Sequence, residues 1–575
     1  MSGEPPQKRK RSEEEEEEKE EDVPVGESEE RCLATVLEQL ERVQRVCGAV
    51  LRSHVTSEER ALAAKCAADV AATALASAAA LNNSNSGRTA ALAKAREGLE
   101  ALRTRVERER GHVGREVFGD LARPLVEGLL VPDDSAAAGH TVRRVPGAVL
   151  RALRGRWGSD VLAGALSHAA RAGRLDFPWK RLTMGDPAAL FAGVRTRVLA
   201  RSTAPTARVP GVAIGREAAE FVSLGYAHAG GAHLAFVSSL DDYFRADVLT
   251  DYYQEPARLS ARRRGQTESV LAQWRSGRAA YEAALGVLDD DKEDENGDNN
   301  ASRGVPRDLN TFELREALYR RGVKECTQFK CTLARSVYDL YGARCVLDFS
   351  AGWGDRLIGA IAAASVERYV GVDPNTALRA GHDAMRAALC PLAGKRAADY
   401  TVVYAPFQTA VLPDLGAGPA PFDLVFTSPP FFDFELYTDA AHAAGQSVHD
   451  YPRYEQWAAH FLLAALRRAW TLLAPGGHMA IYITDVGRAP VVELMALYAA
   501  ARLPRSTYTG TIISTGAAET PRPTWVWHKR PNGADEGDDA RAARAEALLQ
   551  RLYPHIVTEL NKGSDGAVAA DGAAK

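Results

Sequence analysis

The chain has 575 residues, too many for one core and enough for two or three domains. Its 46% apolar content fits a soluble globular protein with some disordered segments, and no apolar run reaches the roughly 18 residues needed to cross a bilayer. A formal net charge of −4 gives no overall push toward nucleic acid, and seven scattered cysteines without CxxC pairs or partner histidines speak against a disulfide framework or a zinc site and for a reduced, intracellular chain.

Residues 1–30 read as a disordered tail, in which Lys8-Arg9-Lys10-Arg11 precedes the glutamate run Glu13 to Glu18. This charged start does not fit a secretory signal, and the compact basic cluster reads as a nuclear import signal, so the nucleus is the expected location. Residues 31–110 carry helical periodicity in Leu33, Val36, Leu37, Leu40 and Val43, with a loop at Asn82 to Gly87, which predicts a helical hairpin or bundle. Residues 111–286 read as a mostly helical accessory or substrate region. Within it, positions 141–210 hold 13 Arg or Lys against 3 Asp or Glu, interleaved with Trp157, Phe177 and Trp179. A basic surface with aromatics is able to track a phosphate backbone, although solvated arginine faces on helices give the same composition. The segment from Leu240 to Tyr253, followed by Arg258 and Arg262 to Arg264, reads either as a site for a flat base or amine or as a packed corner with salt bridges. Residues 287–303 are acidic and nearly free of apolar side chains, which predicts a linker.

From residue 304 to 530 the pattern changes to short apolar runs alternating with helices. Strands are predicted at Cys345 to Phe349, Tyr369 to Asp373, Thr401 to Tyr404, Phe422 to Thr427 and His478 to Ile483, with two more at Tyr508 to Ser514 and Thr524 to His528. Helices are predicted at Leu333 to Tyr341, after Gly354, and from Tyr454 to Leu473. This alternation implies an α/β fold with a mostly parallel, doubly wound sheet, whose ligands sit at the carboxyl ends of the strands. Residues 531–575 read as a C-terminal helix and tail.

The first strand ends in Asp348-Phe349-Ser350-Ala351-Gly352-Trp353-Gly354. Gly352 and Gly354 allow close backbone approach to a ligand and a turn into a helix. Asp373, at the end of the second strand, is placed to accept two ribose hydroxyls. These features suit a dinucleotide as well, so the loop alone does not choose the cofactor.

Ser428-Pro429-Pro430-Phe431, at the end of the fourth strand, makes the choice. Here the chain resembles the class I AdoMet-dependent methyltransferases that modify exocyclic amines, whose signature is (Asp/Asn/Ser)-Pro-Pro-(Tyr/Phe). The resemblance covers about 200 residues and implies a Rossmann-like sheet, S-adenosyl-L-methionine as cofactor and transfer of its methyl group to an amine. It maps the cofactor loop onto Asp348, Ser350, Gly352 and Gly354, the ribose acid onto Asp373 and the catalytic motif onto Ser428, Pro429, Pro430 and Phe431. Where the family usually has a polar or acidic residue after strand three, this chain has Ala405-Pro406-Phe407-Gln408; Phe407 and Gln408 are the candidates for packing on the adenine and bonding it. Gln328 and Phe329, upstream of strand one, are the candidates for the methionine end. Asp433, Glu435 and Tyr437 follow the motif and are candidates for orienting the substrate.

The motif has a chemical logic. An sp² amine delocalises its lone pair into the ring. Ser428 and the Pro429 carbonyl can accept its two N–H bonds and favour sp³ geometry; the prolines fix where those acceptors point, and Phe431 stacks on a flipped-out base. No metal is required. Within the resemblance serine is commonest in DNA enzymes acting on the cytosine amine, which favours DNA over RNA as partner. The same geometry serves a protein amine or amide, and a catalytically inert binding subunit with this fold is the third alternative.

Overall fold

The computed structural model describes residues 144–145, 150, 153–154, 159–173, 175–182, 184–202, 212–222, 234–238, 246–289, 309–414, 421–437, 445–485, 490–516, 522–531 and 538–571. All fall in the second of two units into which the chain divides, Asp120–Lys575. The expected tail, the helical region 31–110 and most of the acidic linker lie outside the described residues, as does Trp157.

The strands that matter here are β1 (Ala200–Ser202), β2 (Leu234–Ser238), β3 (Arg262–Arg263), β4 (Cys345–Asp348), β5 (Arg368–Val372), β6 (Tyr400–Val403), β7 (Phe422–Thr427), β8 (Glu435–Leu436), β9 (Leu473–Tyr482), β10 (Ser506–Gly516) and β11 (Arg522–Lys529). Nine of them form one sheet in the order β1-β2-β10-β11-β9-β7-β4-β5-β6. From β6 to β9 all neighbours are parallel; β11 runs antiparallel between β9 and β10. Strand order reverses on either side of β4, so a crevice opens where β4 and β7 end. The seven strands from β10 to β6 form the Rossmann-like class I methyltransferase sheet. Both faces are covered, as a parallel sheet requires, and Trp457, Trp525 and Trp527 are fully buried in its core.

The principal helices are α1 (Ser159–Arg171), α2 (Pro187–Thr196), α3 (Asp251–Ser260), α4 (Arg278–Asp289), α5 (Cys331–Tyr341), α6 (Asp355–Ala362), α7 (Arg379–Leu392), α8 (Ala464–Leu472), α9 (Val491–Arg502), α10 (Asp538–Leu552) and α11 (Pro554–Asp571). The helix expected from Tyr454 onward forms, but Trp457–Leu463 is wound as a π-helix before α8. No described helix is long and apolar enough to cross a membrane.

The upstream region is not a separate helical domain divided from the sheet at 287–303. It supplies β1 and β2, which extend the sheet through the β2–β10 pairing. It also supplies α3, whose polar face is buried against the crevice. The Arg258 guanidinium donates to Asp251 at 2.9 and 2.8 Å and to Glu325 at 2.6 Å, while Arg315 pairs with Glu255 and Glu325. Thr250 and Asp247 donate and accept across to Asp355 and Thr332. Composition shows a change at the acidic run, but burial of these paired charges joins both sides into one core; removing a single partner would leave an uncompensated buried charge. The segment from Leu240 to Arg264 is thus a packed, salt-bridged corner where it is described. At the C-terminal end, α10 and α11 bury Ala545, Leu549, Ile556 and Val557 in the core.

Candidate active site

A cavity of about 340 Å³ opens at the carboxyl ends of β4, β5, β7 and β9, within the roughly 300–1,000 Å³ range of small-molecule sites. Ser350, Gly352, Asp373, Phe407, Gln408, Gln328 and Phe329 line it, together with Ser428, Pro429, Pro430 and Phe431. The serine–diproline turn and the glycine loop therefore share one rim of the sheet.

The glycine loop is held in shape from below. Gly352 sits at φ +55°, where a Cβ would meet the Ser350 carbonyl oxygen at 3.8 Å, and Gly354 at φ +96° starts α6. A Cβ on Gly354 would lie 2.7 Å from Met385 Sδ, so the position excludes side chains on two counts. Gly354 is not among the residues lining the cavity; its part is to turn the chain so that the α6 N-terminus faces the site. The amide of Gly352 donates to Asp373 Oδ2 at 2.9 Å and that of Asn375 to Oδ1 at 2.9 Å. Each oxygen keeps a lone pair. Burial raises the Asp373 carboxyl to about 6, against the lowering effect of those two amides.

His382 was not evident from the sequence. It is fully buried beneath the loop, its Nε2 2.9 Å from the Gly352 carbonyl and its Nδ1 2.9 Å from the Tyr404 hydroxyl. A carbonyl only accepts, so Nε2 carries the proton and Nδ1 accepts from tyrosine. Burial pulls this imidazole down to about 4, which keeps it neutral.

Asp348 is a correction. It does not line the cavity; its carboxylate is fully buried and accepts from Arg356 Nε at 2.8 Å, Tyr369 OH at 2.7 Å, Thr427 Oγ1 at 2.7 Å and the Ser350 amide at 3.3 Å. Four donors leave no room for a ligand. Asp348 clamps the ends of β4 and β7 to the start of α6, so it acts on the loop and not on a cofactor. Phe407 is a second adjustment. Its ring stacks on Phe349 at 5.2 Å and lies under the Arg468 guanidinium at 4.8 Å, so it meets the cavity as wall and offers no free face to an adenine. Gln408 donates to the Phe461 carbonyl, presented by the π-helical turn. Gln328 donates to Asp251 at 3.0 Å, and Phe329 packs edge-on to Tyr482 at 4.8 Å.

After Phe431 the chain takes a left-handed residue, Phe432 at φ +47°, a costly conformation for a bulky side chain. The rings of Tyr454 and Trp457 hold it. Downstream, β8 pairs with β3 and ties the motif to the upstream region. Glu435 is buried there and accepts from Thr327, so it anchors the loop, while Asp433 pairs with the exposed Arg264 at 3.3 Å. Tyr437 packs against Trp353. Phe177, in the basic segment, is buried against Trp179 and Trp274 and cannot stack on a base. Tyr482 and Arg522 line the cavity and were missed, although both sit at strand ends facing the crevice.

The strand order and register are those of a Rossmann-like class I methyltransferase fold. No family model matches the chain, and no curated protein matches it. Among solved structures it is similar to the O-methyltransferase TomG from Streptomyces achromogenes in complex with SAM, at 18% identity over 34% of this chain and 78% of that one, TM-score 0.23. It is also similar to the S-adenosylmethionine-dependent methyltransferase SibL, at 15% identity over 50% and 85%, TM-score 0.24, and to the antibiotic-resistance methyltransferase Kmr, at 20% over 36% and 95%, TM-score 0.19. At such scores the likeness carries no weight, and the fold rests on strand order and register.

Proposed function

We propose that the chain is an S-adenosyl-L-methionine-dependent N-methyltransferase acting on an exocyclic amine of a nucleic-acid base, DNA in preference to RNA. One observation carries the reading: Ser428, Pro429, Pro430 and Phe431 line the same cavity as Gly352 and Asp373.

The residues fit the cofactor. Asp373 retains acceptor capacity for two ribose hydroxyls beyond the two amides it already holds, and Gly352 leaves its outer face open to close approach. Phe329 packs against Phe426 of β7, and it and Gln328 line the end proposed for the methionine part. When bound, the cofactor supplies an electrophilic methyl group on a sulfonium. Ser428 and the Pro429 carbonyl accept the two N–H bonds of the amine and turn its lone pair toward that group. Pro430 stiffens the turn, and Phe431, half-buried and 6.4 Å from the Tyr482 ring, borders the slot for a flipped-out base. The basic cluster Lys8–Arg11 supports a nuclear setting.

The test is mass spectrometry of nucleosides from DNA and RNA incubated with the protein and AdoMet. A methylated amine on a base is the expected product, absent with Ser428→Ala. Methylation found in protein and in no nucleoside of DNA or RNA would overturn the reading.

A further inference from the structure

We propose that Arg522 grips a phosphate of the same nucleic-acid strand whose base amine is presented to Ser428. The inference rests on reading Ser428–Phe431 as the amine-binding motif, and it adds the group that anchors the substrate.

Two cations line the cavity, Arg356 and Arg522. Arg356 is buried and committed to Asp348 and the Ser350 carbonyl. Arg522 is exposed, and among the described residues its side chain has no hydrogen-bond, ion-pair or ring partner. The other arginines near the mouth are engaged: Arg263 with Glu435 and Arg264 with Asp433. A lone guanidinium at the rim of a site otherwise lined by Asp355, Asp373, Glu435 and Asp450 is an anion receptor, and its planar fork matches phosphate bidentately.

Strand order says which ligand it meets. Asp373 follows β5, and from β5 to β11 the sheet passes through β4, β7 and β9. Four strand spacings separate the ribose acid from Arg522, about 19 Å. Ser428 lies between them. Register places Thr427 beside Ile481 and Tyr482 beside Thr524, so Ser428, Tyr482 and Thr524 are level at the sheet's edge. Because β11 is antiparallel, Arg522 stands two residues further out toward solvent. It is therefore on the substrate side, about 10 Å across from the catalytic turn, a separation bridged by one base and its sugar. A base held at Ser428 would direct its backbone toward Arg522.

The test is a salt titration of the binding of a fluorescein-labelled single-stranded oligodeoxynucleotide, followed by anisotropy with the full-length chain, alongside methyl transfer to the same oligonucleotide and calorimetry with AdoMet. For Arg522→Ala the slope of log affinity against log salt is expected to fall by about 0.7, the release of counterions from one phosphate. Arg522→Lys is expected to restore it, and AdoMet affinity is expected to stay unchanged in both. An unchanged slope for Arg522→Ala overturns the proposal while transfer by the wild type leaves the functional reading standing. Loss of AdoMet affinity without a slope change overturns it by assigning the arginine to the cofactor, and a wild type that binds no oligonucleotide at low salt overturns it too. A slope change without any methyl transfer supports the phosphate contact and fails the functional reading alone.

Discussion

The Glu435 carboxylate accepts two hydrogen bonds from Thr327, from its amide at 2.8 Å and its hydroxyl at 2.9 Å. Both residues line the cavity and come from different segments: Thr327 precedes α5, and Glu435 follows the serine–diproline turn. Arg263 flanks the carboxylate at 3.5 Å. Glu435→Ala leaves the Thr327 amide without its acceptor and the Arg263 guanidinium without its counter-charge, and is expected to cost about 1–3 kcal/mol in urea unfolding. Glu435→Gln keeps one acceptor oxygen and is expected to cost less, with transfer activity falling further in the alanine variant because the turn loses its anchor.

At Ser428 the expected loss is in chemistry and not in cofactor binding. Ser428→Ala removes one acceptor for the amine and should lower kcat roughly 10²-fold. Pro430→Ala restores a backbone freedom that the turn excludes and should act in the same direction. AdoMet titration by calorimetry should give wild-type affinity for both. Loss of cofactor binding with Ser428→Ala would mean that the serine serves the cofactor.

With Asp373 as the proposed ribose acceptor, cofactor affinity is expected to depend on pH. Ribose hydroxyls donate, so they need the ionised carboxylate, and in the free protein that group titrates at about 6. Below this pH a proton must leave before the ribose binds. The AdoMet Kd is expected to be flat above about 7 and to rise toward tenfold per pH unit below 6. Asp373→Asn should bind weakly at all pH values and flatten the profile; calorimetry across pH 5 to 8 measures both.

Asp355, buried at the start of α6, accepts from Thr250 at 2.6 Å, and burial raises its carboxyl to about 7. The unfolded carboxyl ionises near 3.9. Between those values the folded state holds a proton that the unfolded state has lost, so this group lowers stability as pH rises from about 4 to 7. Asp355→Asn retains an acceptor for Thr250 and removes the titration. Its stability relative to wild type should be near constant below pH 4 and increase by a few kcal/mol up to pH 7, read from urea midpoints. His382 contributes oppositely in both proteins: with a folded value of about 4, it favours folding above 6.5 and loses that contribution as pH falls. It therefore cancels in the difference.

The local sequence determined seven of the nine strands of the main sheet and the order of the site loops. Apolar runs such as Phe422 to Thr427 form the strand at the same residues, and Gly352 and Ser428 follow strand ends because a chain leaving a parallel strand must turn at the crevice. Tertiary structure alone decided which polar groups face that crevice. Asp348 and Asp373 each follow or end a short apolar strand and look alike in one dimension. Asp348 is turned inward by Arg356, Tyr369 and Thr427, which come from three other segments, while Asp373 meets only two amides and stays at the wall. Periodicity reports burial of apolar faces within one element; it does not report which charge finds a partner from a distant one. For the same reason the upstream region read as a separate domain. Its helix α3 buries Asp251, Glu255 and Arg258 only because Glu325 and Arg315 arrive from beyond the acidic run to neutralise them.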